Sequence, residues 1–263
     1  MSGKSYITRR SKNMKRKFFY GLCLMFLSFF MLPGLNANAY GYGYQKNNIH
    51  QQPNIGKYQQ EIEGTDSYYV GNNEDKTLYL TFDAGYDNGN LSKILDVLKE
   101  KDIKATFFIT GDFAVRESKL LKRIVSEGHI VGNHTYHHKN ITRLDRAKIK
   151  EELDFLNDKY KEIIGTDMPK YFRPPEGQFD KRSLLDIKEL GYKTFFWSIA
   201  YDDWNTKNQK GIEYAYNKIM DNLHNGAIIL LHTVSSDNAN VLSKVIDDSR
   251  NLGYEFKNLD QFN

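Results

Sequence analysis

"TLYLTFDAGYDNGNLSKILDVLKEKDIKATFFIT", residues 77–110, sets two β-rich apolar runs on either side of one helix-period segment. "TLYLTF" and "ATFFIT" are short and rich in β-branched and aromatic residues, as buried strands are. Between them, "LSKILDVLKEKDI" places Leu91, Ile94, Leu95 and Leu98 on one face of a helix. A strand, a crossover helix and a second strand make a parallel pair. The same alternation continues to the C-terminus. "SKLLKRIVSEG" predicts a helix ending at Gly128, "HIVGN" a strand, and residues 144–164 a long charged helix ending at Gly165. "KYFRPP" is followed by "SLLDIKELG", "KTFFWSI" by "GIEYAYNKIMDNL", "AIILLH" by "ANVLSKVIDDSRNLG", and "YEFKN" closes the series. About seven strands with helices between them predict an α/β fold with a parallel sheet, and this many units predict closure into a (β/α) barrel. A doubly wound open sheet is the alternative. It lacks its usual support, because no GxGxxG follows the first strand.

Charge and composition divide the rest of the chain. Residues 1–39 hold seven of the 37 Lys and Arg and none of the 33 Asp and Glu. The remainder therefore carries 30 basic against 33 acidic side chains, which removes the electrostatic case for a nucleic-acid partner. The first 39 residues read as an export signal: a basic stretch, the apolar run "FFYGLCLMFLSFFMLPGL", and small residues at Ala37 and Ala39. The apolar run is also long enough for an uncleaved membrane anchor. Either way the rest of the chain is expected outside the membrane. Cys23, the one cysteine, lies in this segment, so an exported product would have no disulfide. Residues 40–75 are rich in Gly, Tyr, Gln and Asn without a period, and read as a tether or an arm lying on a domain of residues 76–263.

In a βα barrel, reactive groups sit at the C-terminal ends of strands. The predicted ends carry Asp83, then Thr110 and Asp112, then Asn133 and His134, then Arg173, then Asp202 and Asp203, and finally His232. Any one polar strand end is ordinary, since strand ends meet solvent. Six converging on one rim with two histidines are not. "VGNHTYHHKN", residues 131–140, holds three of the seven histidines. A helical turn there would aim His134 and His138 the same way, as two neutral nitrogen ligands suited to Zn²⁺ or a similar divalent metal. His137, on another face, is a structural residue or a substrate contact.

"LTFDAGYDNG", "GNHTYHH", "RPPEG", "YDDW" and "LLHT", in this order over about residues 76–260, resemble the polysaccharide deacetylases, carbohydrate esterases with a NodB homology domain. The resemblance implies a distorted (β/α) barrel and metal-dependent removal of acetyl groups from polysaccharides. By position it implies Asp83 as catalytic base, His134 and His138 as metal ligands, and Arg173 as the residue orienting the base. It likewise implies Asp203 as the carboxylate behind the catalytic histidine, and His232 as that histidine and general acid. Trp204 and Trp197 are candidates for a sugar-stacking wall, or else core residues.

One departure from the family pattern stands out. Where the family has a second aspartate ligating the metal, this chain has Ala84, leaving water, substrate or a carboxylate such as Asp87 to complete the sphere. With "SYYVGNNEDKTLYLTF", "NQKGIEYAY" and "LLHTVSSDNA", this departure resembles the delta-lactam-biosynthetic branch of spore-forming bacteria. That branch implies a substrate, peptide-free muramic acid in peptidoglycan glycan strands, and a product, the muramic δ-lactam of spore cortex. Lys207 and Lys210, after the fifth strand, are candidates for reading the lactyl carboxylate, or are simply solvated. Deacetylation of N-acetylglucosamine in peptidoglycan or chitin-like oligomers is a competing activity, and a decayed cell-wall-binding protein a non-enzymatic one.

Overall fold

The computed structural model describes residues 39–47 and 49–262; the expected signal or anchor at 1–39, with Cys23, falls almost wholly outside them. The described strands are β1 Tyr40–Gly41, β2 Ser67–Tyr68, β3 Thr77–Ala84, β4 Thr106–Ile109, β5 Ile130–Asn133, β6 Tyr171–Phe172, β7 Gln178–Phe179, β8 Lys193–Phe195, β9 Ala227–His232 and β10 Glu255–Lys257. The helices are α1 Tyr58–Ile62, α2 Leu91–Glu100, α3 Gly111–Arg116, α4 Ser118–Ser126, α5 Arg146–Ile164, α6 Lys181–Glu189, α7 Ile212–Met220 and α8 Ser236–Asn251.

Every residue of β3 is buried, which is why it reads as a continuous apolar run rather than an alternating one. It lies at the centre of the sheet. β9 pairs along it in parallel from Leu78 to Asp83, while β4 pairs with Thr81–Ala84 and β10 with Thr77–Tyr79. From β4 the parallel order runs through β5 and β6 to β8. The backbone beyond β8 then bridges to β9 at Ile199 and Ile229, where Leu230 N donates to Ile199 O at 2.9 Å. The ring closes there, giving the barrel that the strand–helix alternation predicts, in the distorted form that the family resemblance implies.

The helices dock by the apolar faces read from the sequence. Leu91, Ile94, Leu95 and Leu98 of α2 are all fully buried against the sheet. α5 starts where the Asp145 side chain accepts from Lys148 N at 2.8 Å, and ends at Gly165 with φ +94°, a left-handed stop that costs glycine nothing.

The segment at 40–75 is more than a tether. It contributes α1 and β2, and β2 adds a parallel strand beside β8 at Thr194 and Phe195. Further up, β1 pairs antiparallel with β7, Tyr42 N donates to Gly177 O at 2.9 Å, and the Tyr42 hydroxyl donates to Trp197 O at 2.9 Å. Tyr42 also stacks on Phe196, ring centres 4.5 Å apart. Glycine is required at position 177: φ is +63°, and a Cβ there would fall 2.9 Å from the Trp197 ring and 3.2 Å from Tyr42. These aromatic contacts seat the arm on the rim where the strands end. Nothing in its composition predicts them, because every partner lies more than a hundred residues away.

Candidate active site

At the C-terminal ends of the strands lies a cavity of about 1000 Å³. Asp83, at the end of β3, faces it and is nearly buried. Its Oδ1 accepts from Arg173 Nη1 at 2.9 Å, and its Oδ2 lies 3.6 Å from His134 Nε2. Arg173 follows β6 and is wholly buried. Two carbonyls fix its remaining donors: Nε donates to Phe195 O at 3.0 Å and Nη2 to Phe196 O at 3.2 Å. The guanidinium also lies 4.2 Å from the Phe108 ring centre, a cation–π contact. Burial alone would raise the Asp83 carboxyl. Arg173, with His134 and His232, outweighs it and holds the group below the usual carboxylate range, so it is ionised.

His134 and His138 meet with ring centres 4.9 Å apart, but no helical turn brings them together. Residues 134–140 form a loop in which Thr135 has φ +62° and His138 φ +54°. Side-chain bonds supply what a helix ladder would have: Thr135 N donates to Asn133 Oδ1 at 2.9 Å, and Lys139 N to Thr135 Oγ1 at 3.1 Å. Two non-glycine residues in left-handed conformation so close together are uncommon and concentrate at functional sites. His134 Nδ1 donates to Arg173 O at 2.8 Å, which leaves the Nε2 lone pair free. Burial pushes His134 down to about 4 and lowers His138 as well, so both rings are neutral near pH 7. Two neutral imidazoles with one nitrogen aimed into the cavity fit a divalent metal. A third protein ligand is missing: among the described residues no group of three His, Cys, Asp or Glu is arranged for a metal. Ala84 is fully buried among apolar side chains. Asp87 does not line the cavity; its Oδ1 accepts from Leu91 N at 3.2 Å, at the start of α2.

On the neighbouring strand, beside Asp83 in register, His232 ends β9 and Asp203 lies buried next to it. Asp203 Oδ1 accepts from His232 Nδ1 at 2.7 Å, and its Oδ2 accepts from His232 N at 2.7 Å and from Asn238 Nδ2 at 2.6 Å. Burial would lower the imidazole, but Asp203, by charge and hydrogen bond, and Asp83 raise it above the ordinary value. The site therefore presents an ionised carboxylate and, beside it, an imidazole that holds its proton more tightly than an ordinary histidine. One can accept a proton while the other donates one.

Asn238 escaped the sequence reading, which began the last helix at Ala239. α8 begins at Ser236, and the Ser235 hydroxyl caps it by accepting from Asn238 N at 3.1 Å. This puts Asn238 in the first turn, fully buried, with its Oδ1 accepting from the Tyr201 hydroxyl. The serine-rich "TVSSDN" after a strand is the capping signal that could have located it.

Other expected residues divide between the cavity and elsewhere. Thr110 and Asp202 line the cavity; Trp204, 59% exposed, and Trp197 do too. Asp112 instead pairs with Arg116 at 2.7 Å on α3, because the short helix after β4 turns it away. Asn133 is buried and bonded to Leu153 O, and His137 to Glu152, so both hold the loop rather than the site. Lys207 lies on the cavity wall, whereas Lys210 is off it, its ammonium 5.0 Å from the Tyr214 ring centre. The arm adds Tyr42, Gly43, Tyr44 and Lys46 to the wall.

Known proteins resemble this chain in sequence and fold. A family model described as polysaccharide deacetylase matches residues 70–195. The peptidoglycan-N-acetylmuramic acid deacetylase PdaA of Bacillus subtilis is 46% identical over 220 residues, 83% of this chain and 84% of that protein. The structure of Bacillus subtilis PdaA, a family 4 carbohydrate esterase, matches with a TM-score of 0.83 at 44% identity, covering 86% of this chain and 97% of that one. A peptidoglycan-N-acetylglucosamine deacetylase of Bacillus cereus is 33% identical over 199 residues, 74% of this chain and 92% of that protein. With sequence and fold in agreement over most of its length, the chain belongs to the polysaccharide deacetylases, the family 4 carbohydrate esterases, and is a hydrolase acting on amide bonds.

Proposed function

We propose that the protein de-N-acetylates muramic acid in peptidoglycan strands whose peptide has been removed. The freed amine then closes on the lactyl carboxyl as the muramic δ-lactam of spore cortex. The observation that carries the reading is the pairing of Arg173–Asp83 and Asp203–His232 side by side at the ends of the neighbouring strands β3 and β9, facing one cavity. In this reading Asp83 takes a proton from the attacking water while the water oxygen bonds to the acetyl carbon. His232 then delivers a proton to the nitrogen as the C–N bond breaks, giving acetate and the free amine. Arg173 keeps Asp83 ionised and aimed. Asp203 keeps His232 oriented and protonated.

His134 and His138 are the residues that would hold a divalent cation, with Zn²⁺ the best chemical match to neutral imidazole. Such an ion, when bound, polarises the acetyl carbonyl and acidifies the attacking water. Lactam closure joins an amine and a carboxyl of one sugar, where effective molarity is high. The glycan strand is the partner, and residues 1–39 would export the chain or anchor it on the wall side of the membrane.

The choice of muramic acid over N-acetylglucosamine is supported by the higher identity to the relative named for the former, 46% against 33%. Mass spectrometry of muropeptides from peptide-stripped peptidoglycan, after incubation with the protein, tests it. Loss of acetyl from muramic acid with lactam formation is expected. Free glucosamine with intact N-acetylmuramic acid would reject this substrate in favour of the glucosamine reading.

A further inference from the structure

Three lysines on the cavity wall have no part in the chemistry above. Lys46 comes from the arm, Lys207 from the loop after Asp203, and Lys218 from α7. Among the described residues none of the three forms an ion pair with a carboxylate, although many other lysines of the protein do. Lys46 Nζ reaches only the Ala200 carbonyl, at 3.4 Å, and Lys218 only the face of Tyr214, 5.0 Å from the ring centre. The Lys207 ammonium has no partner among the described residues.

The acids on the same wall do not cancel this charge. Asp83 is committed to Arg173, and Glu176 stands with the His138 loop, close enough to influence that ring. Asp202 acts on Lys46 from a distance, without pairing to it. Lys46 and Lys218 are close enough to act on each other, and burial followed by Lys218 lowers the Lys46 ammonium. Lys46 and Lys218 thus place two like charges on the wall without an ion-paired carboxylate, Lys207 lines the same cavity, and an anion bound beside them would relieve the repulsion.

We propose that Lys46, Lys207 and Lys218 form an anion subsite that receives a carboxylate carried by the glycan, the lactyl carboxylate left when the peptide is removed from muramic acid. This rests on the substrate reading above and adds how that substrate is told from N-acetylglucosamine, which has no carboxylate. It makes the arm, through Lys46, part of the binding site, and it replaces Lys210 of the sequence reading with two lysines from other segments. Lysine suits such a subsite, because a flexible point charge on the cavity wall can follow a carboxylate on a rotatable ether arm.

Measuring binding rather than turnover separates the subsite from the substrate reading. Two peptide-free glycan fragments are compared in calorimetric titrations of Asp83→Asn protein, one with free lactyl carboxylates and one with the lactyl groups amidated. The carboxylate fragment should bind more tightly. In the triple variant Lys46→Met, Lys207→Met and Lys218→Met, that preference should fall by about tenfold or more, as expected for loss of hydrogen bonds to a charged group. Lysine-to-arginine replacements at the three positions should retain much of it. Equal affinity for the two fragments in the parent, or an undiminished preference in the triple variant, overturns the subsite. Acetate release from the carboxylate fragment by the wild-type protein is scored separately. Its absence refutes the muramic acid reaction, whatever the titrations show.

Discussion

Arg173 Nη1 donates to Asp83 Oδ1 at 2.9 Å with the guanidinium wholly sealed from solvent. Two buried charges are tolerated here because each is satisfied: the arginine by two carbonyls and a carboxylate, the aspartate by the arginine with a histidine beside it. Removing either leaves the other stranded, and a stranded buried charge is far costlier than an intact pair.

Arg173→Met should therefore destabilise the protein by about 3–5 kcal/mol, measured by urea unfolding, and abolish acetate release. Asp83→Asn keeps the shape and can still accept from Arg173, so its stability loss should be smaller. Its turnover should nevertheless fall by about 10²-fold or more, with glycan binding retained. Near wild-type turnover in Asp83→Asn would remove it as the base.

The pH profile should carry the mark of His232. A general acid works only while protonated, and Asp203 and Asp83 raise this imidazole above its ordinary 6.5 against the effect of burial. Activity attributable to it is therefore present below the raised value and lost as pH rises through it. Asp203→Asn removes the charge that holds the proton, so the alkaline limb of kcat should move to lower pH and the plateau should drop. An alkaline limb that stays in place in Asp203→Asn would show that another group sets it.

The metal site proposed at His134 and His138 predicts metal dependence. A chelator should abolish acetate release, and Zn²⁺ or another divalent ion should restore it. Because no group of three His, Cys, Asp or Glu is arranged for a metal among the described residues, the proposed two-imidazole site should bind metal with modest affinity. Ala84→Asp should bind metal more tightly at some cost in stability, since the Ala84 methyl is packed in apolar surroundings. Metal titration followed by calorimetry reads the affinity directly. Full activity in exhaustively demetallated protein would dismiss the ion from the reaction.

Asn238 should matter beyond its distance from the substrate. Asn238→Ala leaves Asp203 Oδ2 and the Tyr201 hydroxyl each short of a partner, at about 1–3 kcal/mol for a buried group left unsatisfied. Turnover should fall while KM changes little, because Asp203 is then free to shift and His232 with it. Asn238→Gln, which keeps the amide but displaces it, should restore less than half of the loss. Unchanged unfolding free energy together with unchanged kcat would show that Asp203 is held adequately without it.

Much of the molecule was legible in the sequence because its signals are local. β3 reads as a buried strand since it is a near-continuous apolar run, and α2 shows its docking face as Leu91, Ile94, Leu95 and Leu98. The polar residues that interrupt these patterns at or just after strand ends, Asp83, Arg173 and His232, mark the rim for the same reason: burial periodicity stops where the strand does, whereas Asp203 reaches it from the loop that follows β8. What the sequence could not supply are partnerships made by closure of the sheet. Whether 134–138 is a helical turn or a loop depends on Asn133 and Thr135 side chains competing for backbone donors, and periodicity does not register that competition. Asp112 looks equivalent to Asp83 as a strand-end acid, and Asp87 looks available to a metal, yet local helix starts claim both. The arm at 40–46 has no period because its order comes from Trp197, Phe196 and Gly177, far along the chain. Only the folded barrel brings Lys46 to the wall that Lys207 and Lys218 share, and only burial in that barrel makes Asp83 and Arg173 depend on each other.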